Sequence, residues 1–352
     1  MKILAVDTSC DETSASICKN DWVLSNIVSS QIDLHKKWRG VVPIIAKRAH
    51  KEKIDPVVDM ALKRARLKLE DVDVFAVTIG PGLAIALEVG IKKVKDLSEN
   101  FGKPIILVNH MEGHIYSNLA KNRKGNYYGN IEGLELPALC LLVSGGHTEI
   151  VLMKGHGEYE LIGQTLDDAV GEAFDKVARP LMLGYPGGPI IEEFAKKGDP
   201  DRFELPVPMV RRRDYNFSYS GLKTASVIKI KKLKKEHGDN FSEIVPDFCA
   251  SFQKTIADSL LLKLEKVIEK NRVNQLLLGG GVISNIYLRK RIRKSMRKHG
   301  IKVITPAKKL CTDNAAMIGL CAYYKTKRKE FVKNIEKIDR LPNLRIDEKV
   351  IF

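Results

Sequence analysis

The sequence predicts an α/β protein of two related halves, each a mixed sheet flanked by helices. Short apolar runs alternate with longer helical patterns along most of the chain, which is typical of α/β folds. A buried strand runs into a polar loop and then a second strand twice, at Asp7 and, about 137 residues later, at Ser144. This repeat predicts two lobes that present their loops to a nucleotide in a cleft between them.

The length and charge fit two domains and an anionic partner. A chain of 352 residues can form two cores. Its 59 basic and 43 acidic residues give a net charge of +16, which favours nucleic acid over a membrane; a lysine-rich proteome is the alternative explanation. We expect a first domain over 1–130, completed by the C-terminal helix and tail (313–352). The second covers 131–312, with a basic helical insertion around 198–245, and the polar segment 122–134 is the best linker.

The cysteines and the hydropathy pattern predict a cytoplasmic protein with no membrane partner. The six cysteines include no Cys-x-x-Cys pair and lie mostly in apolar runs, which favours buried free thiols. The N-terminus enters a strand at once, unlike a signal peptide. No apolar run approaches the roughly 20 residues of a membrane span.

The first polar loop, Asp7 to Ser14, lies between predicted strands at 3–6 and 15–18. Its hydroxyls and amides can bind phosphate oxygens, while its carboxylates, Asp7, Asp11 and Glu12, can bind a cation or orient water. A hairpin rich in turn-forming residues is the alternative.

Helices and strands alternate through the rest of the first half. We predict a helix over 42–64, a strand over 74–79 and a helix over 83–100, entered through the turn Gly80-Pro81-Gly82. A glycine turn at a helix N-terminus favours anions, although these glycines can equally allow close packing.

Two histidines, His110 and His114, follow the predicted strand at 104–108. Four residues make about one helical turn, so both imidazoles leave one face and can bind the same cation. The C-terminal end of a strand is also where α/β proteins place their sites; a solvated pair on an exposed helix is the alternative. Met111 stands where a zinc protease has glutamate, and Glu112 lies roughly on the opposite side, which excludes that motif.

The second half repeats the opening, with a strand over 138–143, a glycine turn from Ser144 to Thr148 and a returning strand over 149–153. The helix predicted next, over 167–182, is acidic. Its carboxylates at positions 168, 172 and 175 share a face that is either solvated or directed at a ribose or cation.

Two stretches of the second half are strongly basic. The first contains Arg211–Arg213, the aromatic segment 216–221 and Lys229–Lys235. Aromatic and cationic side chains together are typical of single-stranded RNA surfaces, whereas a charge run alone is usually a solvated helix face. The second is the predicted helix over 286–298, with seven arginines and lysines.

The last motifs lie near the C-terminus. The glycines Gly279–Gly281, after a strand at 276–278, can bring a flat ligand such as adenine close to the backbone. The final strong helix begins within 311–319, where Thr312 or Asp313 can cap it. Capping is therefore the alternative to a metal role for Asp313.

Eight strings carry a family resemblance and occur in this order: DTSCDET at 7–13, GPGL at 80–83, HMEGH at 110–114, LVSGGHT at 142–148, GEAFDK at 171–176, YPGGP at 185–189, FSYSGLKT at 217–224 and GGV at 280–282. The chain thereby resembles the actin, Hsp70 and sugar-kinase (ASKHA) superfamily, and specifically the TsaD family of tRNA adenosine threonylcarbamoyltransferases. The resemblance covers most of 1–325. The segments 44–50 and 84–88 depart from the family pattern, and Leu142 stands where some relatives have tyrosine.

The resemblance implies two ASKHA lobes with an interlobe nucleotide cleft, and it implies the site residues. His110, His114 and Asp313 would bind one divalent metal ion, iron in preference to zinc, while Asp11 and Glu12 would flank the reacting centre. The threonylcarbamoyl-AMP substrate, or ATP or ADP in the same site, would lie against residues of the second half. These are Leu142, Val143, Ser144, Gly145, Gly146, Asp175, Gly188, Glu192 and Asn285.

The implied reaction transfers the threonylcarbamoyl group to the adenosine next to the anticodon (position 37) of tRNAs that read codons beginning with adenine. The implied partners are tRNA and, in bacteria, a TsaB-like paralogue and a TsaE-like ATPase. In archaea and eukaryotes they are the kinase-like and small subunits of the KEOPS complex. The alternatives are an ATP-dependent small-molecule kinase or ATPase of the same superfamily, and a non-catalytic tRNA-binding scaffold.

Overall fold

The structure, a computed structural model, describes residues 1–38 and 40–350. The strands are β1 (Lys2–Asp7), β2 (Glu12–Lys19), β3 (Trp22–Ser30), β4 (Val74–Gly80), β5 (Ile105–Asn109), β6 (Ala138–Val143), β7 (Thr148–Gly155), β8 (Glu158–Gln164), β9 (Gln275–Gly279) and β10 (Lys302–Ile304). The helices are α1 (Ile32–His35), α2 (Pro43–Ala65), α3 (Ala84–Phe101), α4 (His110–Tyr116), α5 (Val170–Ala178), α6 (Gly187–Ala195), α7 (Ser220–His237), α8 (Phe241–Ile268), α9 (Ile286–Lys298) and α10 (Ala315–Lys327). Within the described residues, no helix has the length and apolar character needed to cross a bilayer.

Both sheets have the same topology. The first has the strand order β3-β2-β1-β4-β5, and the second, read in the same direction, has the order β8-β7-β6-β9-β10. The central strand of each sheet, β1 or β6, pairs antiparallel with the strand that follows it and parallel with the fourth strand of its sheet. The predicted α/β class with two related mixed sheets is therefore confirmed.

The described chain forms two compact units. The first comprises Met1–Leu134, Gly155–Glu160 and the residues from Ile304 onward. The second comprises Glu135–Lys154 and Leu161–Val303. The first unit thus contains the first sheet, α1 to α4 and α10, and the second contains α5 to α9.

The first sheet is covered on both faces. Leu4 and Val6 of β1 belong to a core shared with α2 and α3. Ala5, between them, lies near Gly319 of α10, as does Cys18 of β2. Because successive side chains of a strand point to opposite faces, α2 and α3 pack on one face of the sheet and α10 on the other.

The predicted acidic helix is shorter than expected. It begins at Val170, so Asp167 and Asp168 precede it. Asp168 instead forms ion pairs with Lys176 at 2.8 Å and Lys223 at 2.5 Å. The prediction that the acid at 168 shares a helix face with the next two is therefore wrong, because cations from α5 and α7 bind it in the preceding loop.

The tail after α10 runs along the first sheet. Val332 N donates to Ile105 O at 3.0 Å, and Leu341 N donates to Ile79 O at 2.7 Å. Leu344 is buried in the first core. Residues close to the C-terminus therefore complete the unit that the N-terminus begins.

Candidate metal centre and nucleotide loops

Helix α4 begins at the C-terminal end of β5. The side-chain oxygen of Asn109 caps it, accepting hydrogen bonds from the amides of Met111 at 2.8 Å and Glu112 at 3.3 Å. His110 and His114 leave the same face of this short helix. Both rings are buried, and their centroids are 4.8 Å apart.

Asp313 joins the two histidines. Its Oδ1 lies 3.4 Å from His110 Nε2 and 3.3 Å from His114 Nε2. The ligand atoms of the three residues all lie within 4.8 Å of one another, which suits a metal ion. Asp313 does not cap α10, because Asn314 does so by accepting from Met317 N at 3.2 Å. The capping role considered for Asp313 is therefore wrong.

A glycine allows the two helices to approach closely. A Cβ added at Gly113 of α4 would lie 3.0 Å from Ile318 Cδ1 and 3.1 Å from Met317 Cγ, both on α10. A side chain at this position would therefore crowd Ile318 and Met317 of α10. Since Asp313 lies two residues before α10, this contact helps to place its carboxylate beside the histidines.

The second ring nitrogen of His110 is also occupied. Nδ1 lies 3.4 Å from Asp7 Oδ2 and 3.0 Å from Ser9 Oγ. Burial lowers the pKa of His110, but the carboxylates of Asp313 and Asp7 outweigh it and hold this pKa well above its usual value. A carboxylate at Nδ1 orients the ring so that Nε2 faces the ligand group. Sequence reasoning included Asp7 and Ser9 in a candidate phosphate or cation loop but did not predict their contact with His110. The available signal was their place at the C-terminal end of a strand parallel to β4.

The residues present fit a divalent ion. Nδ1 of His114 is buried and has no hydrogen-bond partner among the described residues, while its buried Nε2 lies 3.3 Å from Asp313 Oδ1. Burial lowers the pKa of His114, which keeps a lone pair available. Burial alone would raise the pKa of Asp313, but both histidines bring it well below its usual value. Two imidazoles and one carboxylate are ligands that both iron(II) and zinc accept.

Glu112 has a different role. Its Oε1 accepts from Tyr159 OH at 3.0 Å, and its carboxylate lies 3.5 Å from Lys325 Nζ and 3.7 Å from an Arg328 nitrogen. These bonds tie α4 to the end of α10. Glu112 is thus not positioned to serve as the base of a metalloprotease, in agreement with the sequence motif.

Asp11 and Glu12 lie where β1 turns into β2. The pKa of Glu12 is raised well above its usual value by burial first, then by the carboxylates of Asp11 and Asp313. The carboxylate of Glu12 therefore lies close enough to Asp313 for the two charges to interact, and Asp11 precedes it in the same turn.

His50 of α2 holds this turn in place. Its Nε2 lies 3.0 Å from Cys10 O and its Nδ1 lies 2.8 Å from Thr13 Oγ1. A carbonyl oxygen only accepts, so Nε2 donates to Cys10 and Nδ1 accepts from the Thr13 hydroxyl. Burial lowers the pKa of His50, which favours this neutral ring. Sequence reasoning missed His50, whose contacts depend on the packing of α2 against β2.

In the second unit, the predicted glycine loop follows β6. The side chains of Leu142 and Val143 are fully buried, so only their backbone is available to a ligand. Ser144 N donates to His147 O at 2.8 Å and closes the turn. A Cβ added at Gly145 or Gly146 would meet nothing within 4 Å. Their backbone therefore borders open space that can admit a ligand.

Two hydrogen bonds involve other residues that were predicted to bind the substrate. Asp175 of α5 accepts from Gly187 N at 2.6 Å, which fixes the start of α6. Glu192 Oε1 of α6 accepts from Ile286 N, the first residue of α9, at 2.7 Å. Segments far apart in the sequence therefore adjoin one another within the second unit.

Asn285 lies at the start of α9, and Gly188 lies in the first turn of α6. Asn285 caps α9 by accepting from Leu288 N at 2.9 Å, and its Nδ2 donates to Gln253 Oε1 at 2.7 Å. At Gly188 an added Cβ would touch only the Phe174 side chain, at 3.9 Å. The backbone of Gly188 is accessible to a ligand, while the Asn285 amide already has structural partners.

The aromatic residues of the first basic stretch are not an RNA surface. Phe217 is 1% exposed and Tyr219 is fully buried, and both belong to the core of the second unit. The interpretation that they stack on bases is wrong. Their alternation with serines reflects a segment that is buried on one side.

Comparison with known proteins identifies relatives along the whole chain. The sequence profile described as "TsaD: tRNA N6-adenosine threonylcarbamoyltransferase" matches residues 22–320. The protein named tRNA N6-adenosine threonylcarbamoyltransferase in Thermosipho africanus (strain TCF52B) is 46% identical over 98% of this chain and 100% of its own. The one in Clostridium perfringens (strain SM101 / Type A) is 44% identical over 99% of this chain and 98% of its own.

Solved structures show the same fold at low identity. Full-length HypF in its phosphate- and nucleotide-bound form has a TM-score of 0.60 at 14% identity, covering 94% of this chain and 46% of that one. Component A of the Acidaminococcus fermentans (R)-2-hydroxyglutaryl-CoA dehydratase has a TM-score of 0.52 at 12% identity, covering 93% and 99%. The repeated mixed sheets and these likenesses define an ASKHA-type α/β protein of two lobes. Within that class, the chain belongs to the TsaD family.

Proposed function

We infer that this chain is a tRNA N6-adenosine threonylcarbamoyltransferase. The observation that carries the inference is its match to relatives of that name, at 44–47% identity over 91–99% of the chain. The site supports it, since one unit holds a histidine–aspartate group and the other holds an open glycine loop. The first unit thus offers a reaction centre, and the second offers a place for a nucleotide.

The donor we propose is threonylcarbamoyl-AMP, and the acceptor is adenosine 37, next to the anticodon of tRNAs that read codons beginning with adenine. The exocyclic nitrogen attacks the carbamoyl carbon, and a C–N bond forms. The bond from that carbon to the phosphate oxygen breaks, and AMP leaves with the electron pair. The amine proton passes to a base. All atoms and charges are balanced without a further reactant.

We propose that the glycine loop binds the phosphate of the adenylate. Amides of Gly145 and Gly146 border open space, so they can hydrogen-bond the oxygens on which charge develops as AMP leaves. The adenosine part would lie against Asp175, Gly188, Glu192 and Asn285. Leu142, Val143 and Ser144 support this loop, and ATP or ADP would bind in the same place.

His110, His114 and Asp313 would hold one divalent ion, and iron is our first choice over zinc. A bound ion would supply Lewis-acid polarisation and a template for substrate oxygens. The protein's own contribution is orientation. Asp7 and Ser9 fix the His110 ring, and both histidine rings are buried while Asp313 is only partly buried.

Asp11 or Glu12 would accept the proton. An aromatic amine releases it only as attack proceeds, so a weak base nearby is sufficient. Burial and the nearby carboxylates raise the pKa of Glu12, so its ionised form is a stronger base than a free glutamate. His50 is a positioning residue, since it binds the backbone before Asp11 and the hydroxyl after Glu12.

For partners, we propose tRNA together with a TsaB-like paralogue and a TsaE-like ATPase. The curated relatives that match over the full chain include those of Thermosipho and Clostridium, which favours this bacterial set over the KEOPS subunits. We place the reaction in the cytoplasm, where tRNA is modified.

The test is direct. Purified protein is incubated with unmodified tRNA and threonylcarbamoyl-AMP, with the TsaB-like and TsaE-like proteins added in a second arm. The tRNA is then digested and the modified nucleoside is identified by its mass. We expect the product with wild type and not with His110→Ala plus His114→Ala. Phosphorylation of a sugar from ATP without this product would instead support a kinase, and in vivo function retained by the double variant would support a scaffold.

A further inference from the structure

Helix α9 has an unusual composition. Its thirteen residues include seven arginines and lysines and no acid. Leu288, Ile292 and Met296 bury one side in the core. A second set of side chains is exposed and recurs at three- and four-residue spacing, so it forms one face. This α9 basic face consists of Lys290, Lys294, Arg297 and Lys298.

None of the four cations of this face forms an ion pair with another described residue, whereas Arg291 of the same helix pairs with Asp258 at 2.6 Å. Four like charges fall within about 12 Å of helix length and destabilise one another. An anionic partner would relieve that repulsion.

In α7, the other strongly basic helix, several lysines have partners within the protein. On α7, Lys223 pairs with Asp168 at 2.5 Å and Lys232 lies 3.6 Å from Glu236. Two further lysines of α7 lie over phenylalanine rings. Much of the charge of α7 therefore has partners inside the protein, which leaves α9 as the better surface for a ligand.

The N-terminal end of α9 lies beside the protein residues that we propose to bind the adenosine of the nucleotide. Asn285 caps the helix, and its first amide, at Ile286, donates to Glu192. Lys290 lies only about 6 Å further along the helix axis. A polyanion that follows the basic face therefore reaches the proposed adenosine-binding residues at its N-terminal end.

We propose that the α9 basic face binds the phosphate backbone of the tRNA, a statement that rests on the proposed function. Regularly spaced cations with no aromatic side chain among them suit contacts to the phosphate backbone, which position RNA without specifying sequence. A membrane fits less well, because the apolar side of α9 is buried in the core and cannot enter lipid.

The test compares two charge-matched variants. One replaces Lys290, Lys294, Arg297 and Lys298 with glutamine. The control replaces four exposed first-unit lysines for which no ion pair is recorded, Lys51, Lys53, Lys63 and Lys92. The dissociation constant of an unmodified tRNA transcript is measured between about 0.05 and 0.3 M salt. Equal helical circular dichroism of the two variants and wild type confirms that all are folded.

We expect the α9 variant to bind tRNA at least about tenfold more weakly at 0.1 M salt. The slope of log K against log salt should fall by about three, since each phosphate contact contributes about 0.7 to 0.9. The control should change affinity less than about threefold. Equal losses in both variants, or no tRNA binding by wild type, would overturn the proposal. The proposal would also be overturned if the α9 variant lost binding to phosphatidylglycerol vesicles while its affinity for tRNA stayed unchanged.

The proposed function is tested separately in the same samples. Transfer of the threonylcarbamoyl group is measured across a tRNA concentration series. The α9 variant should show a raised KM for tRNA and an unchanged kcat. If wild type binds tRNA through α9 but transfers nothing, the proposed function fails while the assignment of α9 stands.

Discussion

At the histidine pair, single hydrogen bonds decide which atoms remain for a ligand. Asp7 and Ser9 occupy Nδ1 of His110, which leaves Nε2 facing Asp313. Asn314 caps α10, so the carboxylate of Asp313 is free for the histidines. The ligand group therefore depends on neighbours that bind no ion themselves.

Asp7→Asn tests this dependence. The change keeps the size of the side chain but removes the charge that orients His110. We expect the affinity for iron or zinc to fall 10- to 100-fold, measured by competition with a chelator of known affinity.

The matched control is Asp33→Asn, at a highly exposed aspartate that pairs with Lys36. It should leave metal affinity unchanged. If both variants bind metal like wild type, Asp7 has no role in orienting the ligand.

At the scale of helices and strands, small residues set how closely α10 approaches its neighbours. Gly113 admits α10 against α4, and Gly319 admits it against the first sheet. A Cβ at Gly319 would lie 2.7 Å from Cys18 Sγ and 3.3 Å from Ala5 Cβ. The position of Asp313 at the start of α10 follows from both contacts.

Gly319→Val should therefore destabilise the first unit. We expect the free energy of unfolding to fall by about 1–3 kcal/mol, because the added methyl groups overpack the contact with Cys18. Metal affinity should fall with it as α10 shifts. Urea denaturation and a chelator titration measure the two effects.

Gly221→Val is the control, since a Cβ at this α7 position meets nothing within 4 Å. It should leave both quantities close to wild type. Equal destabilisation by the two substitutions would mean that the Gly319 contact is not tight.

At the scale of the whole chain, both ends belong to one unit. The tail bonds β4 and β5 through Leu341 and Val332, and Asn109 Nδ2 donates to Arg345 O at 3.1 Å. Asn109 also caps α4. The C-terminal residues thus support the helix that carries both histidines.

Removing residues 331–352 should lower the unfolding temperature of the first unit. Loss of several buried side chains, such as Ile338 and Leu344, corresponds to a shift of about 10 °C or more. Metal affinity should also fall. Calorimetry and a chelator titration provide the measurements.

Removing only 349–352 serves as the comparison and should have a much smaller effect. An unchanged unfolding temperature in the longer deletion would show that the tail adds no stability to the first unit.

Patterns formed by residues close together in the sequence predicted much of the fold. The helix at 286–298 and the strand at 138–143 have the predicted bounds, because amphipathic spacing and short apolar runs depend only on nearby residues. Strands β3 and β8 were not predicted. The acidic helix predicted over 167–182 is longer than the observed α5, because ion pairs with Lys176 and Lys223 hold Asp168 in the loop before it.

The sequence by itself determined the α/β class, the duplicated strand–loop–strand opening, the family and the shared face of His110 and His114. Each depends on neighbours along the chain or on matching strings. Tertiary structure decided which carboxylate meets those histidines, since Asp313 lies about 200 residues away. It also decided that Asp7 orients His110 and that Phe217 is core. Contacts between distant segments arise from packing, which the spacing of residues along a single element does not encode.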